Sequence, residues 1–214
     1  MNVVNRLMYK SREMKHKQFI SFCKPNKSKT VLDVGVQNED HKDSDNFLVK
    51  NYQFPEKITG LGVEELSDFN KKYPKVKTIT YDGTLFPFSD NEFDSIWSNA
   101  VIEHVGAIER QQLFLNEMIR VAKNKVFFTT PNRGFPVEIH TRAPIVHWLP
   151  RAIANKFYTL IGKQWAAGDY MFLLYKRDVI KLLENAKKEL HFEYKLIENK
   201  FLGLTATFSI LITK

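Results

Sequence analysis

From Tyr81 to Val105 the chain reads YDGTLFPFSDNEFDSIWSNAVIEHV, and KVFFTTPN follows from Lys125 to Asn132. Phe93 to Ser98 (FDSIWS) is a short apolar run framed by polar residues, the pattern of a strand buried on both faces. Between Ala107 and Ala122, Leu115, Met118, Ile119 and Ala122 recur at i, i+3, i+4 and i+7 with charged residues opposite, which predicts a crossover helix. Lys125 to Thr130 (KVFFTT) reads as the next strand, halted by Pro131. Strand, helix and strand in that order predict a parallel sheet. Ligands of open α/β sheets lie outside the carboxyl ends of the strands, so Asp82, the segment Ser98 to His104 and the segment Pro131 to His140 are expected on one rim.

Upstream, Thr30 to Gly35 (TVLDVG) is a hydrophobic strand ending in an acid and a glycine. Lys57 to Gly62 (KITGLG) begins a second strand that is expected to run on into Val63, Glu64 and Glu65, and Val76 to Thr80 reads as a third. A short helix is expected from Ser44 to Tyr52, capped by Ser44 or Asp45. At the other end of the chain, Leu204, Ala206, Phe208, Ile210 and Ile212 alternate with mostly Thr and Ser, the period of a strand, and Phe192 to Ile197 is placed to pair with it as a hairpin.

The series VLDVG, strand plus acid, DG with LFPF, then FDSIWSNAVIEHV resembles the class I S-adenosylmethionine-dependent methyltransferases, and the resemblance covers most of the chain. The tract TTPNRGFPVEIHTRAPIVHWLP further resembles a bacterial branch of that superfamily that acts on small molecules or glycans. The resemblance implies a Rossmann-like three-layer α/β sandwich: a mostly parallel seven-stranded sheet closed by a C-terminal antiparallel hairpin. It implies S-adenosyl-L-methionine as cofactor. Asp33, Gly35, Val36 and Gln37 would border its methionine part, Glu64 its ribose, Asp82 with Gly83 its adenine amine, and Ser98, Asn99 and Ala100 its open face. Glu65 competes with Glu64, but strand alternation sends it to the opposite face. For Asp82 the ordinary alternative is a turn aspartate. One departure matters: the family's first loop carries three glycines, whereas Asp33-Val34-Gly35-Val36-Gln37-Asn38-Glu39 keeps only the first. Gln37 or Glu39 would then either obstruct the cofactor or point away.

Composition fits one domain spanning 1–214: the chain has 214 residues of which 43% are hydrophobic, enough for one sizeable core. A lone Cys23 excludes an internal disulfide and is expected to be buried filler. Lys and Arg interrupt Met1 to Lys29 throughout, so this segment is expected to be helical rather than a secretory leader, and the protein cytoplasmic with peripheral membrane contact left open. The formal charge of +8 raises nucleic acid as a partner, but the basic residues gather only at Lys10 to Lys29 and at Lys176 to Lys188. The second group decorates a helix whose Val179, Leu182, Leu183, Ala186 and Leu190 form a buried stripe.

Asn132 to Asp169 breaks the alternation of strands and helices and crowds Phe135, Trp148, Phe157, Tyr158 and Trp165 together with Arg142, Arg151 and Lys156. It is expected to hold the acceptor, either as a lid or as a helix packed on the sheet, with Asn132, Arg133, Glu138, Arg142 and Trp148 as acceptor contacts. Methyl transfer from a sulfonium is an in-line displacement that chiefly needs alignment. A hydroxyl acceptor also needs a base, for which His140 and His104 are the candidates on the rim; no metal site is read from the scattered histidines and acids. A nucleic-acid or protein acceptor, and a binding module without activity, stay open. Oligomeric state is not legible.

Overall fold

The computed structural model of the chain describes residues 3–137, 141, 143–168 and 171–214. Its sheet has seven strands in the order β3-β2-β1-β4-β5-β7-β6. These are β1 (Val31–Val34), β2 (Ile58–Gly62), β3 (Lys77–Thr80), β4 (Phe93–Asn99), β5 (Ala122–Pro131), β6 (Glu193–Phe201) and β7 (Leu204–Thr213). The first five pair in parallel, and β7 runs antiparallel between β5 and β6. The mostly parallel sheet with a terminal hairpin is therefore the one expected from the sequence.

The central strands are apolar because helices cover both faces. On one face, α1 (Val3–Cys23), α2 (Phe47–Asn51) and α3 (Ser67–Lys72) join a cluster that includes Phe19, Leu48, Phe69, Trp97 and Phe127. On the other, α4 (Ile108–Val121) and α6 (Lys176–Ala186) pack Leu115, Met118, Ile119, Leu182 and Leu183 against Leu32, Ile96, Val126 and Ile210. The stripe read for the crossover helix is the buried face of α4. α1 is fixed by aromatic geometry: Trp97 and Phe127 stack at 5.2 Å, and the Phe19 ring meets each edge-on at 5.2 and 5.9 Å. A further helix, α5 (Arg151–Leu160), lies in the insert between β5 and α6.

β5 starts earlier than expected, at Ala122, and includes Pro131, and β6 extends to Phe201; two further boundary differences bear on the rim. The helix expected from Ser44 begins at Phe47, with Asn46 before it in left-handed conformation (φ 44°). Asp45 does not cap it; its carboxylate instead accepts the backbone N–H groups of His41 and Lys42 and closes the preceding loop. The second strand stops at Gly62 rather than running into Glu65. Beyond that point the polar groups serve loop contacts: Thr80 Oγ1 donates to the Glu64 carbonyl, and the Glu64 carboxylate accepts the Asn38 N–H at 3.0 Å.

The chain leaves β1 through Gly35, whose φ of +94° disfavours any side chain and whose added Cβ would lie 2.4 Å from Val101 Cγ2. Gly35→Ala is therefore expected to cost on the order of 3 kcal/mol, as strain and overpacking combine. Urea unfolding measures it, and an unchanged midpoint would contradict the packing described.

Candidate active site at the strand tips

The sheet register sets the carboxyl ends of β1, β2 and β4 side by side: Val34 lies opposite Leu61 and Ser98. Gly35 and Val36 both donate their N–H groups to the Leu61 carbonyl, so the first loop starts by folding back over β2. Val36 is buried; its branched side chain lies 3.1 Å from where a Cβ on Gly60 would sit, and its carbonyl oxygen lies 3.0 Å from where a Cβ on Gly62 would sit. The room usually made by glycines in the loop is made here by glycines in the neighbouring strand. Farther on, Asn46 bonds the backbone of Gln37 in both directions, and Asp40 accepts from Lys72 and Tyr73. Glu39 faces His41 in solvent, and Gln37 is exposed.

Glu64, Val63, Asp82 and Gly83 converge beyond β2 and β3. A Cβ on Gly83 would touch Val63 at 3.8 Å, and Val63 is 66% exposed, an apolar surface facing out of the rim. Asp82 Oδ1 accepts the Thr84 N–H at 2.9 Å as well as its hydroxyl, and these bonds hold the carboxyl below its usual range. The turn role weighed for Asp82 is therefore present, and it occupies one oxygen; Oδ2 receives no bond from a described residue. The loop is anchored from behind: Tyr81, Phe86 and Phe114 form consecutive edge-on pairs, Glu117 accepts the Phe86 N–H at 2.7 Å, and Arg120 donates to the Phe86 and Phe88 carbonyls.

At the end of β4, Ser98 is buried and Ala100 takes a left-handed φ of 59°. The Asn99 side-chain oxygen accepts from Thr129 Oγ1 at 2.8 Å, and Asn99 Nδ2 is a buried donor with no partner among the described residues. Such a group is costly unless something fills its need. The turn after it, Ile102–His104, buries Glu103 completely, with Thr130 Oγ1 donating to its carboxylate. His104 sits half-buried beside it.

Sequence reasoning missed the group facing these acids. Counting back from Cys23 and Phe19 along the inward stripe of α1, the next positions are Lys15 and Arg12, so the stripe changes from apolar to cationic as the helix reaches the rim. Arg12 lies within electrostatic reach of Asp33, Asp45 and Glu103, and Lys15 within reach of Glu103. Neither cation makes a hydrogen bond or close ion pair with a described residue. Burial pushes the Asp33 carboxyl up to about 7, opposed by Arg12, and brings the Lys15 ammonium down to about 7, aided by Arg12. The i, i+3 spacing of Arg12 and Lys15 on the Phe19 stripe was the available signal; the segment had instead been counted as one more basic stretch. Burial also pushes the Cys23 thiol up to about 11, which suits the inert filler expected.

Of the acceptor contacts, Asn132 uses both ends within the protein: its amide donates to the Thr205 carbonyl at 2.7 Å and its oxygen accepts the Gly134 N–H at 2.9 Å. The Arg133 guanidinium lies over the Tyr175 ring at 5.2 Å, with Arg177 also on that ring at 5.1 Å, and the Arg133 carbonyl accepts the Trp148 indole N–H at 2.7 Å. Glu138, His140 and Arg142 lie outside the described residues. A cleft of about 470 Å³ opens beside Asn132, lined by Tyr175, Lys176, Arg177, Glu198 and Thr205. A larger cavity, about 1010 Å³, lies between α1 and the β6–β7 hairpin rather than at the strand tips. Among the described residues no group of three or more His, Cys, Asp or Glu is placed to hold a metal ion.

Asp33 makes the site readable by titration. Folded, it keeps its proton to about pH 7, whereas unfolded it releases it near the ordinary carboxylate value, so across that window the native state binds more protons and stability falls as pH rises. Carboxylates held low, such as Asp40, act below that window. Asp33→Asn should therefore flatten the decline in unfolding free energy between pH 5 and 7, measured by urea titration; an unaltered slope would place the proton elsewhere.

Residues 50–129, from α2 through most of β5, match the family described as a methyltransferase domain. No curated protein matches the chain. Among solved structures it is similar to a SAM-dependent methyltransferase from Aquifex aeolicus, with 17% identity over 97% of this chain and 92% of that one (TM-score 0.61). A methyltransferase from Mesorhizobium loti shares 11% identity over 94% and 98% of the two chains (TM-score 0.63). Magnesium protoporphyrin IX methyltransferase from Synechocystis, solved with bound SAH, shares 10% over 100% and 88% (TM-score 0.60). Residues 50–129 thus resemble a methyltransferase domain, and the seven-stranded sheet with its terminal hairpin is the fold that the chain shares with these SAM-dependent methyltransferases.

Proposed function

We propose that the protein transfers the methyl group of S-adenosyl-L-methionine to oxygen or nitrogen of a small-molecule, sugar or lipid-linked acceptor. The observation that supports the acceptor class is the cleft of about 470 Å³ beside Asn132, where the insert begins after β5; it is small-molecule in size and lined by Asn132, Tyr175, Lys176, Arg177, Glu198, Thr205 and Phe208. The residues present fit the cofactor. A Cβ at Gly35 would fill the exit of β1, Asn99 Nδ2 is a buried donor without a partner, and one oxygen of Asp82 is free of turn bonds.

When bound, the cofactor supplies a methyl group already activated on a sulfonium, so the chain's task is alignment and exclusion of water. Asp33, Gly35, Val36 and Gln37 would border the amino-acid end, with Arg12 and Lys15 of α1 supplying positive charge for its carboxylate. Glu64 would accept from ribose hydroxyls, Asp82 Oδ2 from the adenine amine beside Gly83 and Val63, and Ser98, Asn99 and Ala100 would floor the open face. Arg133, with Arg177 across Tyr175, suits an acceptor bearing negative charge or many hydroxyls. His140 is the base we favour, with Glu138 and Arg142 beside it in sequence; His104 is the alternative, and bracing the turn after β4 is its competing role.

Calorimetry with S-adenosylmethionine and its demethylated product tests the reading first: saturable heat with folded protein is expected, and none would leave only a binding module for some other ligand. Asp82→Ala should weaken cofactor binding by about tenfold or more, since the adenine amine loses its acceptor. His140→Ala should abolish methyl transfer to an acceptor found by mass shift in a cell extract while leaving cofactor heat intact. Full turnover by that variant would remove His140 from the base role.

A further inference from the structure

The insert holds a small core of its own. Ala143, Val146, Ala154, Tyr158 and Ala166 are buried against one another, and Lys163 ties the insert by donating to the Thr141 carbonyl. Within α5 this uses the face carrying Ala154 and Tyr158. The face beside it carries Ile153, Phe157 and Leu160 at i, i+4 and i+7, and these are 53%, 39% and 83% exposed. Ile145, Leu149 and Ile161, which flank α5 in sequence, are exposed as well. An amphipathic helix with one face in its own core and another apolar face in water is not explained by packing within this chain. Contiguous exposed apolar surface of this kind marks a contact with something else.

Charge selects what that something is. From residue 139 to residue 168 the sequence contains Arg142, Arg151, Lys156 and Lys163 and neither Asp nor Glu, in a chain that elsewhere mixes both signs. A protein of mixed charge gains nothing from so one-sided a segment, whereas an anionic lipid surface attracts each basic residue and accepts aliphatic and aromatic side chains at the acyl boundary. No helix among the described residues is long and apolar enough to cross a membrane, so the contact is with its surface. We infer that the face of α5 bearing Ile153, Phe157 and Leu160 docks on an anionic phospholipid membrane and that the acceptor is an amphiphile presented there. The insert is tied to the rim through Trp148 and the Arg133 carbonyl, so docking sets the acceptor cleft close to the lipid surface. The second half of this inference rests on the methyltransferase reading; the docking itself does not.

Flotation with phosphatidylglycerol vesicles and with phosphatidylcholine vesicles tests it, using the full chain. The protein should float with the anionic vesicles, and raised salt should release most of it. Ile153→Asp combined with Phe157→Asp should lower the bound fraction about tenfold, and Lys156→Glu should lower it by a smaller factor. Both residues of the double variant are exposed, so its thermal midpoint and its cofactor heat should match the parent and exclude misfolding. Absence of flotation, equal binding to both lipids, or undiminished binding by the double variant would each overturn the inference. So would a self-associated species, seen by light scattering, that the double variant dissolves while neither protein floats. Because flotation needs no cofactor, a protein that floats but gives no heat with S-adenosylmethionine would refute the catalytic reading alone.

Discussion

The chain leaves β1 toward α2 on one face of the sheet, and leaves β4 toward α4 on the other, so a crevice opens between two neighbouring parallel strands. That crevice exists only if the two exits part cleanly, and the contact that decides it is Gly35 against Val101. With no Cβ at Gly35, the backbone turns out of the sheet in a conformation that other residues disfavour, and Val36 drops into the hollow above Gly60 and Gly62. Everything on the rim takes its position from this turn: the Asn38 N–H that holds Glu64, the Asn38 oxygen that accepts the Asp68 N–H at the start of α3, and the Asp40 knot with Lys72 and Tyr73. In a loop with one glycine, the Val36 side chain is kept out of the crevice by being turned into the sheet.

Opposite that turn stands a second constraint, electrostatic rather than steric. α1 is clamped by Phe19 on the Trp97–Phe127 stack, and one and two turns closer to the rim the same stripe carries Lys15 and Arg12 over Asp33 and Glu103. Buried charges are tolerable when they are paired closely or when a ligand completes them. Here the cations lack close ionic partners among the described residues, and Asn99 Nδ2 has no hydrogen-bond partner among them. A zwitterionic amino-acid moiety, with a carboxylate for the cations and an ammonium for the acids, is a chemical complement to that arrangement.

Most of the fold was legible because its signals are periodic: the FDSIWS run, the α4 stripe and the alternation in Leu204 to Ile212 each tie residue spacing to burial. Asp33, Glu64, Asp82 and Ser98 to Ala100 could be named as rim candidates from the sequence because each falls at or just beyond the carboxyl end of a strand. What was not legible depended on contacts between distant segments. The hollow for Val36 is cut by Gly60 and Gly62 in another strand, so the sparse glycines of the loop looked like a deficit when read alone. The start of α2 moved because Asp45 found backbone donors behind it rather than ahead, a choice that local propensity does not make. Arg12 and Lys15 hid in a basic stretch because net charge carries no direction, whereas the helical phase set by Phe19 does.

The same reasoning distinguishes the two basic regions. In α6 the buried stripe of Val179, Leu182 and Leu183 is continuous and Lys176 pairs with Glu198, so beyond Lys176 and Arg177 at the cleft its charges are an ordinary solvated face. In the insert the relation is inverted, since an exposed face of α5 is apolar and the sequence from 139 to 168 carries Arg and Lys without Asp or Glu. A helix whose surplus is hydrophobic has its missing contact outside the chain. The one-sided charge narrows that contact to an anionic surface, and the tether from Trp148 to Arg133 ties the same surface to the acceptor side of the site.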